Sequence, residues 1–257
     1  MSFSEAQYTA AVNQVQTKHT ELGSLIGQVI PTANSAASSW FIPGPIKEAI
    51  IWCAEQLVAL ATQIWNKIVE CLKGVAMPIW MFKYAWDWQD IRGEASTVSG
   101  EVKLDVLPAN ARWTGPAAGA YDRAVPPQSS AAAQIASIAA TTATALTVCA
   151  AAGLAFYVAI GVILVKFIVA MVAAITALGS VVFSWAGALL IVEEAGVNTG
   201  LIIAAVSTLT ALLGAQAAQM STLHGAAQDN SAFPGGQWPN PTTAGNYGDA
   251  EGWRLAD

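Results

Sequence analysis

Two kinds of hydrophobic pattern divide this chain. In the first, apolar positions recur at spacings of four and three. Tyr8, Val12, Val15, Leu22, Ile26 and Val29, with His19 in the same register, predict an amphipathic helix with one packing seam. Ser4-x-x-Gln7 reads as a capping box at its start, and Pro31 predicts its end. The stretch from Pro31 to Pro45, rich in Pro, Gly, Ser and Asn, reads as a connector pinned by Trp40 and Phe41. The same seam returns in Ile46, Ile50, Cys53, Leu57, Leu60, Ile64, Ile68 and Cys71, which predicts a second helix from about Ile46 to Lys73, stopped by Gly74. Trp52 and Trp65 widen its apolar face. A third helix is expected from near Pro78 to about Leu107, where Pro108-Ala109-Asn110 interrupts it. Its first turns carry Trp80, Phe82, Tyr84, Trp86 and Trp88, a cluster with three open readings: helix packing, a membrane-interface belt, or a partner-binding hot spot.

The second pattern is nearly all apolar. Between Ala124 and Gln228 the only Lys, Arg, Asp or Glu residues are Lys166, Glu193 and Glu194. The charge-free runs from Ala131 to Val165 and from Phe167 to Val192 each exceed the roughly 20 residues that cross a bilayer core. Leu201 to Leu213 is a shorter third candidate. No turn signal flanks Lys166, so the expected soluble layout is one very long helix from about Pro116 to Leu178, a shorter one to Glu194, and a last one from about Thr199 to His224. Lys166 reads either as a pore-lining or headgroup-facing charge or as a lysine whose stem snorkels to a polar edge. Glu193 and Glu194 read as a solvated helix end or as partners for Lys166. From Asp229 onward Gly, Pro, Asn and Thr predict a largely extended or disordered tail. The expected fold is all-α, an elongated antiparallel helical bundle with long apolar C-terminal helices. The expected divisions are amphipathic helices over 1–112, an apolar helical region over 113–228 and a flexible tail over 229–257.

Composition sharpens this picture. Of 257 residues 54% are hydrophobic and only 11% charged, so the apolar surface must be covered by lipid, a partner or other copies of the chain. A net charge of -6 with few cations argues against nucleic acid as a partner, because phosphate affinity comes from clustered Lys and Arg. The first residues lack a cationic region followed by an apolar run, which predicts that no Sec-type signal peptide is present. Cys53, Cys71 and Cys149 form no CxxC pair. On one helix Cys53 and Cys71 would stand about 27 Å apart, so buried thiols are expected in place of a disulfide framework or metal site. His19 and His224 accompany no motif, and Asp87, Asp90 and Glu94 show only helical spacing. No nucleophile–base pair, phosphate-cradling loop or cofactor motif is recognisable, so a non-enzymatic protein without cofactor or metal is expected.

One short motif remains. Trp113-Thr114-Gly115-Pro116-Ala117-Ala118-Gly119-Ala120-Tyr121 reads as a break between two helices: Gly115 permits a turn, Pro116 suits a first helical position, and Trp113 is a large apolar peg. It resembles the Trp-x-Gly turn of WXG100-like proteins, the helical-hairpin substrates of type VII (ESX) secretion in actinobacteria. The resemblance covers Met77 to about Val165. Tyr247-Gly248-Asp249-Ala250-Glu251 matches the Tyr-x-x-x-Asp/Glu export pattern of those substrates, whereas Tyr121 has Val125 where the acid would stand. The resemblance implies a WXG100-like hairpin, an export role for Trp113, Gly115, Tyr247 and Glu251, and dependence on a secretion ATPase and a co-secreted partner or chaperone. Combined with the apolar half, it leads to an expected secreted or envelope-associated homo-oligomer, extending to a membrane-associated ring or pore in contact with lipid. The competing expectation is a resident integral membrane protein with two or three spanning helices.

Overall fold

The computed structural model describes residues 3–40, 42–108, 112–180, 220–241 and 254–255, together with the helical positions Ser207, Thr210, Gly214 and Ala217. Its architecture is an all-α helical bundle: α1 (Glu5–Ala37), α2 (Gly44–Leu72), α3 (Met77–Glu101) and the long α4 (Pro116–Gly179), with one small antiparallel pair, β1 (Trp113–Thr114) and β2 (Arg254–Leu255). Helical contacts divide the chain into two compact units, each assembled from separated stretches: residues 1–80 with 149–214, and residues 81–148 with 215–257.

In the first unit α1 and α2 pack through the expected seams. Tyr8, Val12, Val15, Leu22 and Val29 are buried on α1, and Ile50, Cys53, Leu57, Ile64 and Ile68 on α2, while Ile26 and Leu60 at the seam edges are half-buried and Ile46 is exposed. Each such side chain, fully buried, contributes about 1.5–3 kcal/mol, enough to hold helices whose isolated stability is marginal. Ser4 caps α1 by accepting from the Gln7 N–H at 3.4 Å. The expected end at Pro31 is corrected: α1 continues to Ala37. Pro31 cannot donate to the carbonyl four residues back, but Val29 and Ala33 on either side are completely buried against the bundle and carry the helix through. The connector is accordingly short. Trp40, expected to pin it, is 91% exposed, and Phe41 lies outside the described residues.

The C-terminal half of α4 lies along α1 in the same direction and opposite to α2. Tyr157 meets Tyr8 edge-on at 5.5 Å, Gly161 lies beside Gln14 and Val15, and Gly179 beside Thr32. Two tyrosines tie the junction together: Tyr8 donates to the Val75 carbonyl at 2.5 Å and Tyr157 to the Cys71 carbonyl at 2.7 Å. Both carbonyls lie at the C-terminal end of α2 and just beyond it, where the helix cannot satisfy its own acceptors. Burial, reinforced by Tyr157, pushes the Tyr8 hydroxyl well above its ordinary pKa, so it remains a donor at physiological pH. Gly153 packs directly on the Pro78 ring, and a Cβ there would collide with it.

In the second unit the end of α3 and the start of α4 are joined by reciprocal serine bonds. Ser99 Oγ reaches the Ser129 carbonyl at 3.0 Å, and Ser129 Oγ donates to the Ser99 carbonyl at 2.7 Å. α3 stops at Glu101, short of the expected Leu107, and the chain continues in turns. The run Thr97-Val98-Ser99-Gly100 is poor in helix formers, and no Pro is needed to end it. By contrast α4 runs from Pro116 to Gly179 as expected, with Pro126 and Pro127 inside it. The expected helix to Glu194 lies outside the described residues, and residues 220–228 are helical.

Candidate interaction surfaces

Two surfaces gather the residues that the sequence singles out. The first is the Trp113–Gly115 turn. Gly115 has φ 101°, a left-handed conformation that side chains disfavour, and this reverses the backbone so that Pro116 can open α4. The Gly119 N–H bonds back to the Gly115 carbonyl at 3.1 Å. Immediately before the turn, β1 pairs with the C-terminal β2 in the register Trp113 to Leu255 and Thr114 to Arg254. Tyr247 and Glu251 lie outside the described residues.

The tail is more structured than its composition suggests. Gln134 Nε2 donates to the carbonyls of Ala226 (3.4 Å) and Asp229 (3.3 Å), where the helical stretch 220–228 ends. Asp229 Oδ1 accepts from the Ser231 N–H at 2.9 Å, and that bond holds its carboxyl below the usual range. Pro234–Gly236 forms a 3₁₀ turn in which Gly235 and Gly236 have φ 68° and 72°. Beyond it Trp238 stacks obliquely on Phe233 at 6.1 Å, and Pro239 is buried. Gln128 of α4 grips this segment with both ends of its amide: Nε2 donates to the Pro239 carbonyl at 2.7 Å, and Oε1 accepts from the Trp238 indole N–H. Sequence reasoning missed Gln128 and Gln134 because an isolated glutamine carries no motif signal; only the Pro-Gly-Gly turn ahead of Trp238 hinted at order.

The second surface is the outward face of α4 in the first unit. Its inner face buries Ile160, Leu164, Phe167 and Met171 almost completely. Its outer face presents Val158, Val162, Val165, Val169 and Val172 at spacings of four and three, with Val169 65% exposed and Val165 half-buried. Ala151, Ala155 and Thr176 extend the same repeat in both directions. Lys166 lies beside this stripe, exposed, and no described residue forms an ion pair with it. Glu193 and Glu194 lie outside the described residues. The aromatic start of α3 is also outward: Trp80, Tyr84 and Trp86 are each at least half exposed, with Phe82 and Trp86 in a T-shaped contact at 6.2 Å.

The titratable groups show no convergence. Among the described residues no three His, Cys, Asp or Glu side chains gather at metal-ligand distance. His19 stacks on Trp65 at 4.5 Å with Nε2 buried and unbonded. Burial raises the Cys53 and Cys71 thiols, which makes both poor nucleophiles, and Asp87, Asp90 and Glu94 are exposed on α3. Comparison with known protein families, characterised proteins and solved structures finds no match.

Proposed function

We propose that this chain is a non-enzymatic substrate of type VII secretion that self-associates, at the envelope or outside the cell, through the outward face of α4. The observation that carries the self-association is the valine stripe. A repeat of four and three residues is the seam on which helices coil around one another, and this one continues from Ala151 to Thr176 with no charge on it. On the heptad defined by the valines, Lys166 occupies a flanking position, where its ammonium stays in water while its stem covers the seam. In a bilayer core the same charge would cost about 2.5–3.5 kcal/mol on insertion scales, which favours protein over lipid as the first cover of this face. Assembly into a membrane-associated ring or pore is the extended form of this reading. The export step, through Trp113, Gly115, Tyr247 and Glu251, with a secretion ATPase and a co-secreted partner or chaperone, rests on the resemblance of the Trp-x-Gly turn and tail pattern.

Light scattering after size exclusion tests the assembly. The wild-type chain is expected as a multiple of its 26.6 kDa mass, and the double variant Val162→Glu and Val169→Glu as a monomer. A monomeric wild type that also ignores lipid vesicles would refute it. Export is tested separately with Tyr247→Ala and Glu251→Ala in a host with a type VII apparatus; unimpaired export would remove the tail pattern from the proposal. The second reading, a resident integral membrane component, is favoured by one fact: α4 is long and apolar enough to cross a membrane, and only 39% of its most apolar window is buried. Resistance to carbonate extraction without export would select it.

A further inference from the structure

We propose that the C-terminal segment from Asp229 onward is a releasable strap that closes over the Trp113–Gly115 turn, and that Gln128 is the residue that holds it shut. The inference rests on the export reading only for its biological consequence; the strap itself is argued from contacts within one compact unit. The tail is fastened at three successive places. Gln134 fixes its beginning at Ala226 and Asp229, Gln128 holds its middle at Trp238 and Pro239, and β1 takes its end at Arg254 and Leu255. The glycine turn at 235–236 lets the chain reverse between the first and second fastenings, at φ values that a residue with a Cβ adopts only with strain.

The fastenings are polar and few. Among residues 229–241 only Pro239 is buried, and the strand ladder is two residues long. Such a segment belongs to the low-stability end of a fold and opens without unfolding the helices. Yet it covers a backbone that matters: while β2 is in place, the hydrogen-bonding edge of Trp113–Thr114 that it uses is occupied. A partner that reads this turn by its backbone must displace the strap first. Gln128 is suited to control this step because both arms of one amide are committed to the tail. Losing it therefore frees the indole N–H and the Pro239 carbonyl together.

Hydrogen–deuterium exchange on the full-length chain tests the strap. Gln128→Ala should speed exchange of the Trp113–Thr114 and Arg254–Leu255 amides by about tenfold or more, while amides of α1 and α2 keep their wild-type protection and so report an intact fold. Trp238→Phe, which keeps the ring but removes the indole donor, should give a smaller increase at the same amides. Trypsin supplies an independent readout, since Arg254 is followed by Leu255: loss of the last three residues should accelerate in the same order. Unchanged exchange at β1 and β2 in Gln128→Ala would overturn the proposal, as would loss of protection spread evenly over all helices. In a type VII host, Gln128→Ala should raise the exported fraction; wild-type levels of export despite a loosened β1 would overturn the strap as a control on the turn. A wild-type chain that is never exported refutes the export reading instead, and the exchange result still decides the strap.

Discussion

The α1–α2 pair and α4 bury their inner faces in the same way and differ on the outside. α1 turns Asn13, Gln16, Thr17 and Thr20 to solvent, and α2 turns Glu55, Gln63, Asn66, Lys67 and Glu70, including a surface Lys67–Glu70 pair at 3.0 Å. α4 turns Val158, Val162, Val169 and Val172 outward instead, at 46–65% exposure. Folding requires only the inner faces, because burying one stripe per helix already builds a core. An outer stripe of β-branched residues adds nothing to the isolated fold and lowers its solubility. The difference therefore locates what α4 does beyond folding, and contiguous exposed apolar surface of this kind marks association.

The sharpest way to break this comparison is to cut one side chain from each face. Phe167→Ala removes a completely buried ring and should destabilise the first unit by about 3–5 kcal/mol, read as a lower midpoint in urea. Val169→Ala, two positions on, should change monomer stability by within about 0.5 kcal/mol and act on assembly mass alone. Equal losses from both would mean that the outer face is covered within the monomer.

Adding volume probes the same helix at its tightest approach. Gly153→Ala places a methyl against the Pro78 ring and should cost about 1–3 kcal/mol, with the backbone shift visible as changed chemical shifts around Cys71 and Tyr157. A smaller effect is expected of Tyr157→Phe, which leaves the Cys71 carbonyl without its donor and should cost about 1–2 kcal/mol. Tyr8→Phe should behave alike, and because the two rings touch, the double variant should lose less than the sum of the single losses.

How much of this was readable beforehand follows from where each signal resides. The seams of α1 and α2 and the extent of α4 are periodic or compositional, so neighbouring residues reveal them. The reversal at Gly115-Pro116 is local as well. The continuation through Pro31 was not legible, because the burial of Val29 and Ala33 that outweighs a missing hydrogen bond belongs to the tertiary structure. The parallel course of α4 along α1 depends on pairs such as Tyr8 with Tyr157, far apart in the chain. The hold of Gln128 on Trp238 is more distant from pattern still: a neutral amide and an indole have no periodicity, and only the fold brings them together. Of the two candidate surfaces, the valine spacing lay open in the sequence, while its exposure needed the inner face to be assigned first.

The smallest expected effect concerns pH, and it belongs to the α1–α2 side of the comparison. His19 is the only described histidine packed between these helices, and the groups within reach on its own helix are Lys18 and Glu21, already paired with each other at 2.6 Å. From α2 the neighbouring group is Trp65, whose ring carries no charge. Burial therefore dominates and lowers the His19 pKa from 6.5, with the hydrogen bond to the Trp65 backbone opposing in part. With the folded pKa below the unfolded one, the unfolded chain binds more protons between the two values. Stability is then complete above about 6.5 and declines as pH falls from there through the folded value. His19→Gln removes the titration, so its unfolding midpoint should fall less steeply between pH 7 and pH 5 than that of the wild type. An identical slope would show that the α1–α2 pair takes its acid sensitivity from its carboxylates. Assembly through α4, whose outer face carries no titrating group in that range, should be indifferent to the same substitution at neutral pH.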